Sequence, residues 1–171
     1  VRKPTGALVI PDTLGGYPVT VIGEGAFQNC TGITKVTIPK GVMEIEEYAF
    51  ANTGLTSSAI PDSMECIEGK AFDKCNALKR VDVTSIEAWC KIEFRSFDAN
   101  PLYYAHKLYI NGKLATVVTI PDSVTYIEDD AFRDCSSLRD VIISEGVMHI
   151  GRSTFRGCVN LVRVTVPDSV T

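Results

Sequence analysis

Six cysteines (Cys30, Cys66, Cys75, Cys90, Cys135, Cys158) and two histidines (His106, His149) are the side chains with the chemistry for covalent catalysis or metal ligation. A cysteine nucleophile needs a base within hydrogen-bond reach, and zinc sites draw on short Cys-x₂₋₄-Cys or His-x₃₋₅-His pairs. The histidines are 43 residues apart and Cys30 and Cys75 are 45 apart, so neither spacing makes such a pair. Carboxylates collect at Glu46, Glu47, Glu68, Glu128, Asp129 and Asp130. A calcium site needs six or more converging oxygens, and these residues read instead as a solvated turn face. Gly23-Glu24-Gly25 lacks the Lys-Ser/Thr pair and the βαβ setting of a phosphate loop. Residue chemistry therefore predicts no catalytic residue, no cofactor and no metal.

The elements that would position these side chains repeat. Phe27 to Phe50 is 23 residues, Phe50 to Phe72 is 22 and Phe132 to Phe155 is 23. Around them recur Ala26-Phe27-Gln28-Asn29-Cys30, Ala71-Phe72-Asp73-Lys74-Cys75, Ala131-Phe132-Arg133-Asp134-Cys135 and Thr154-Phe155-Arg156-Gly157-Cys158. An apolar residue, usually followed by proline, opens each unit, which gives units 10–37, 38–59, 60–82, 83–119, 120–142 and 143–165 and a partial one at 166–171. A period in the low twenties is the mark of a solenoid, whose single unit cannot bury its own apolar face. In the fifth unit Val141 and Ile143 alternate with Asp140 and Ile142, the period-two pattern of a strand with the first pair inward. Val124–Ile127 reads as a second extended piece. Ala131–Cys135 is too short for an independent helix and suits one helical or 3₁₀ turn. Asp12, Asp62, Asp122 and Asp168 follow the prolines and are expected to hold turn amides.

Stacking decides the chemistry that spacing leaves open. Cys66 and His149 occupy equivalent positions, but in units three and six, so about 14 Å separates them and no dyad forms. Cys30, Cys75, Cys135 and Cys158 fall at one repeat position and read as a buried column. Stacked neighbours such as Cys135 and Cys158 also come within range of a disulfide.

The pattern Ile-Pro-x-x-Val-x-x-Ile-x-x-x-Ala-Phe-x-x-Cys-x-x-Leu-x-x-Val-x-Ile resembles the BspA-like, or Treponema pallidum type, leucine-rich repeat. Unit two departs from it by a deletion and by Thr53 in place of Cys, and unit one by five extra residues around Gly15-Gly16-Tyr17-Pro18. The expected fold is a repeat solenoid of short parallel strands with single helical or 3₁₀ turns in a curved right-handed stack, forming one domain over 1–171. The resemblance implies a bacterial, or occasionally protozoan, cell-surface or secreted protein used in adhesion, with a protein or extracellular-matrix ligand.

Bulk properties agree with an ordinary folded domain. The chain has 171 residues, 45% of them hydrophobic and 22% charged. Net charge is −4, with pI near 5.2 and scattered Lys and Arg, so nucleic acid is not an expected partner. No apolar run reaches the ~20 residues of a membrane-spanning helix, and Val1–Gly6 has no signal-peptide core. A start at Val and a stop inside a seventh unit suggest a piece of a longer solenoid.

Unit four departs most from the repeat. About fourteen residues are added, and six of the fourteen Phe, Trp and Tyr residues lie there: Trp89, Phe94, Phe97, Tyr103, Tyr104 and Tyr109. Trp89, Phe94 and Phe97 are expected to rebuild the missing core. Tyr103, Tyr104 and Tyr109 are equally suited to wall or binding patch. Leu108–Leu114 carries Asn111-Gly112 between extended runs, a hairpin signal, with the wall rejoining at Val117–Ile120. Outward strand positions such as Arg80, Asp82, Asp140 and Arg163 form a second candidate surface. The function expected is a non-enzymatic binding module. A structural spacer, with no ligand of its own, is the alternative.

Overall fold

The computed structural model describes residues 3–171, which leaves Val1 and Arg2 of the Val1–Gly6 segment outside the described residues. Each turn of chain lays one strand on a main wall and a two-residue strand on a flank. The first main sheet has six strands in the order Gly6–Val9, Ile33–Thr37, Ser57–Ala59, Val81–Val83, Leu108–Ile110, Lys113–Leu114. All its pairings are parallel except the last, which closes a hairpin. The flank beside it stacks Val21–Ile22, Glu44–Ile45, Cys66–Ile67 and Glu93–Phe94 in parallel. A second main sheet follows, with strands Val117–Ile120, Asp140–Ile143 and Arg163–Thr165, flanked by the pair Tyr126–Ile127 and His149–Ile150. The added residues of unit one form the small hairpin Thr13–Leu14/Tyr17–Pro18.

The alternation read from the sequence holds on the wall: Val141 and Ile143 are buried while Ile142 is exposed. Ile22, Ile45, Ile67, Phe94 and Ile127 form the matching buried column of the flank. Between these walls the repeat phenylalanines stack, Phe27 on Phe50 at 5.4 Å, Phe50 on Phe72 at 5.6 Å and Phe132 on Phe155 at 5.6 Å between ring centroids. Interplanar angles of 11–18° place them as a face-to-face column. Each buried ring contributes on the order of 2–3 kcal/mol by leaving water.

The Ala-Phe-x-x-Cys segment is wound more tightly than a plain helical turn. Its i→i+3 bonds are present (Ala49 N to Glu46 O, Ala51 N to Tyr48 O), but alternate amides point along the axis instead. Phe27 N donates to Ala49 O, Asn29 N to Ala51 O, Phe50 N to Ala71 O and Asn52 N to Asp73 O, at 2.6–2.8 Å. Aiming successive amides in two directions requires left-handed residues at both ends of the segment. They are the pairs Gly25/Asn29, Tyr48/Asn52, Lys70/Lys74, Asp130/Asp134 and Ser153/Gly157. The segment thus pairs like a strand while advancing like a turn.

The prolines sit at strand ends as expected. Asp62 and Asp122 hold amides of the following unit rather than of their own turn: Asp62 Oδ1 accepts from Thr84 Oγ1 (2.7 Å) and Ser85 N (3.2 Å), and Asp122 Oδ1 from Gly146 N (3.3 Å). Gly146 permits this approach, since a Cβ there would lie 1.9 Å from Asp122 O.

Candidate functional site

All six cysteines are free thiols. Within the column they serve the stack: Cys75 Sγ donates to Phe50 O at 3.2 Å and Cys158 Sγ to Phe132 O at 3.0 Å. Thr53 substitutes for the missing cysteine of unit two, its hydroxyl 3.2 Å from Cys75 Sγ. Burial pushes the Cys75 and Cys135 thiols up, and those of Cys90 and Cys158 to about 12. A thiol held protonated is a poor nucleophile. Cys66 belongs to the first flank sheet, whereas His149 stacks on Tyr126 (4.8 Å) in the second.

One cluster was not apparent from spacing. Glu44, Cys66 and Glu68 place ligand-capable atoms within 4.8 Å of one another. Arg95 stands over it, with Nε 3.5 Å from Glu68 Oε1 and a contact to Glu93. A guanidinium thus already supplies the positive charge that a cation would bring, and Cys66 Sγ lies 3.8 Å from Glu68 Oε1. Of the carboxylates read as a turn face, Glu46 Oε2 accepts from Glu24 N at 2.6 Å.

Unit four repairs the wall with side chains. Helix α1 (Ile86–Cys90) is capped by Ser85, which accepts from Ala88 N, and buries Trp89 and Cys90. Trp89 packs on Phe94 at 5.4 Å; both are buried, with Phe94 at the register of Ile67 in the flank column. The carbonyl of Ala131 would take an amide from a preceding repeat. Here it accepts from Trp89 Nε1 (2.9 Å) and from Nδ2 of buried Asn100 (3.1 Å). Phe97 departs from the expected core role: it is 44% exposed. It sits edge-on to Tyr103 at 5.5 Å with the Arg133 guanidinium 4.7 Å above its ring. Arg133 is itself held by Asp130 at 3.0 Å, and an aromatic face over a fixed cation needs no burial.

The three tyrosines separate. Tyr104, from helix α2 (Leu102–Ala105), is half-buried, and its hydroxyl accepts from Lys74 N (3.1 Å) and donates to Asp73 Oδ1 (3.1 Å). In a regular unit the amide equivalent to Lys74 N goes to a backbone carbonyl, as Asn52 N does to Asp73 O. Burial pushes the Tyr104 phenol to about 12, so it keeps the proton that this bridge uses. Tyr103 is exposed beside Phe97. Tyr109 lies on the main sheet opposite Asp82, under the Arg80 guanidinium at 3.8 Å from the ring centre.

The insertion also decides the wall differently from the expectation. Val81–Val83 pairs with Leu108–Ile110, inside the insertion, and not with Val117–Ile120, which begins the second main sheet. The predicted hairpin exists, turning at Asn111 (φ 49°) and Gly112 (φ 76°), the two left-handed positions of a type I′ turn. Its antiparallel strand Lys113–Leu114 ends the first sheet.

This register assembles Arg80, Asp82 and Tyr109. Arg80 Nε donates to Asp82 Oδ2 at 2.7 Å, and Nη2 contacts the other carboxylate oxygen. Asp140 and Arg163 are register partners on the second sheet, with Nε 3.8 Å from Oδ1, and belong to a separate patch. Beside Arg80, the small residues Ser57 and Ala59 floor a trough between Lys35 on one side and Arg80 and Asp82 on the other. It runs on over Ala59 into a cleft of about 500 Å³ that reaches the hairpin tip at Asn111 and Gly112. The register sets Lys35 opposite Ser57 and Ser58 opposite Val81, so Lys35 and Arg80 face each other across the trough.

Comparison with known proteins places this geometry. The BspA type leucine rich repeat region matches residues 8–106 and 105–171, in six copies. A leucine rich cell surface protein from Faecalibacterium prausnitzii is 25% identical with a TM-score of 0.53, over 99% of this chain and 43% of that one. The T. pallidum leucine rich repeat protein is 26% identical with a TM-score of 0.56, over 95% and 70%. A leucine-rich repeat protein from Bacteroides ovatus is 26% identical with a TM-score of 0.51, over 96% and 46%. The chain thus spans less than half of two of these three proteins. No protein of curated function matches the sequence. No helix among the described residues is long and apolar enough to cross a membrane. With repeat, stacked core and family match in agreement, the chain belongs to the BspA type leucine-rich-repeat family.

Proposed function

We propose that this chain is a non-enzymatic protein-binding module of a bacterial cell-surface or secreted protein, acting in adhesion to a protein or matrix ligand. The observation that carries the reading is the break in unit four. It replaces the regular wall strand, brings Tyr109 under the Arg80–Asp82 pair of unit three, and leaves Phe97 and Tyr103 on the outside. Tyr103 and Phe97 form one patch, and Arg80, Asp82 and Tyr109 another. Exposed tyrosine and arginine in a preorganised setting are what interface hot spots use. Tyr104 contributes by holding α2 in place, and Asp140 with Arg163 would extend the contact along the second sheet. The Cys75 and Cys90 thiols do not take part, because burial keeps them protonated. The cell-surface description of the Faecalibacterium relative supports the location.

Surface-immobilised protein should capture host matrix proteins, and the double substitution Tyr103→Ala/Phe97→Ala or Arg80→Ala should reduce capture at least tenfold with the fold unchanged by circular dichroism. No capture by the native protein would favour a plain spacer, and full capture by both variants would overturn the assignment of binding to these patches. Hydrolytic or transferase activity in the purified chain would refute the non-enzymatic reading.

A further inference from the structure

The trough on the first main sheet carries a reading of its own, which rests on the protein-binding function proposed above and names what it binds. We infer that it seats a single extended polypeptide segment, with a carboxylate of that segment between Lys35 and Arg80 and an apolar side chain over Ala59 and Pro61.

Width is the first argument. Lys35 lies on Ile33–Thr37 and Arg80 immediately before Val81–Val83, two strands away in the sheet, about 10 Å at ordinary strand spacing, which admits one chain and no helix. The floor comes second. Ser57 and Ala59 replace the larger outward residues found on either side, so the sheet is open along one strand. The main-chain groups of that strand are spent on both neighbours. An occupant is therefore held by side chains and not by strand addition.

Charge and polarity select the chemistry. Among the described residues Lys35 makes no ion pair. Arg80 spends Nε and Nη2 on Asp82, and a guanidinium has five N–H groups, so the Nη1 pair stays free. Asp82 and the Tyr109 ring hold that guanidinium still, which lowers the entropy cost of using it. Farther along, Ala59 and Pro61 present apolar surface in the cleft beside Asp62 and Asp82, with Ile38, Ile60 and Val83 buried beneath it. A sulfated polysaccharide would use the cations and leave that surface empty. A peptide uses both. From the level of Ser57 to that of Ile60 is three strand residues, about 10 Å, so the acidic and apolar residues of the occupant should be about three apart.

The test uses the whole chain, ¹⁵N-labelled, and synthetic octapeptides of Gly, Ser and Thr carrying one Asp and one Leu at separations of one to six. The inference expects amide shifts at Ser57, Ala59 and Asp82, and an affinity that peaks at a separation of two to four. Ala59→Arg, whose side chain fills the trough from its exposed side, and Lys35→Glu should each weaken that affinity at least tenfold with an unchanged thermal melt. Affinity independent of separation, equal binding by Ala59→Arg, or binding of a heparin oligosaccharide but of no peptide would overturn it. If Ala59→Arg still captures matrix proteins fully, the trough assignment fails while the protein-binding function stands. If the native protein captures no protein and binds no peptide, both fail.

Discussion

Ser58 offers a sharp test of how the wall is built. Its side chain is fully buried, yet Oγ has no hydrogen-bond partner. Among the described residues the only other such atom is Arg133 Nε, whereas Thr53 is satisfied by Cys75, Asn100 by Asp130 and Ala131, and Thr154 by Gly151. Its register neighbours are Val36 and Val81, so Ser58 interrupts a valine column. An unsatisfied buried hydroxyl costs roughly 1–3 kcal/mol, and an added buried methyl contributes about 0.8 kcal/mol. Crowding against Val36 and Val81 would take back part of this. Ser58→Val should therefore stabilise by about 1–2 kcal/mol, and Ser58→Ala by somewhat less. For a chain of this length that is about 2–8 °C in Tm. Thermal melts and urea titrations with an unchanged m-value check it. If Ser58→Ala destabilises by more than about 1 kcal/mol, the hydroxyl has a partner and the argument is wrong. If only Ser58→Val destabilises, the column is too tight for a branched side chain at that rung.

Three further outcomes follow from the same packing. Tyr104→Phe should cost about 1 kcal/mol and speed hydrogen exchange at the Lys74 amide. It should leave peptide binding in the trough unchanged, because the hydroxyl completes a ladder and meets no ligand. Phe132→Ala should cost about 3–5 kcal/mol, read by urea denaturation, because the ring is fully buried and stacked on Phe155. Cys90, raised by burial from an ordinary 9.0 to about 12, stays neutral when folded, while the unfolded thiol ionises above pH 9. Its contribution is full below that pH and is lost as pH rises toward about 12, with a slope on the order of 1.4 kcal/mol per pH unit. Native protein should therefore lose stability relative to Cys90→Ala only above pH 9, and a constant difference from pH 7 to 11 would contradict the buried thiol.

The repeat made most of the fold legible, because every rule it states is local. The inward positions, the phenylalanine column, the buried cysteines and the Asn111-Gly112 hairpin each follow from spacing within one or two units. Legibility failed where a side chain does a backbone's work. Nothing in a 23-residue pattern says that the Tyr104 hydroxyl replaces a carbonyl, that Asn100 and Trp89 meet Ala131 O, or that Phe97 stays outside against Arg133. The same holds for the wall strand. Leu108–Ile110 and Val117–Ile120 are both short apolar runs, and pairing with Val81–Val83 was decided by which one the insertion could bring alongside.

By itself the sequence determined a stacked, thiol-lined core and, by its spacing, placed Cys66 and His149 too far apart to act together. A period sets which residues face inward, and burial then sets their chemistry. The tertiary structure alone decided the outer face: which charges meet, where the sheet breaks, and that a trough opens into the cleft at the hairpin tip. The reason is physical. Inward positions are chosen by a hydrophobic pattern that each unit carries in full, whereas a surface site is made by residues from different strands, and those come together only once the register is set.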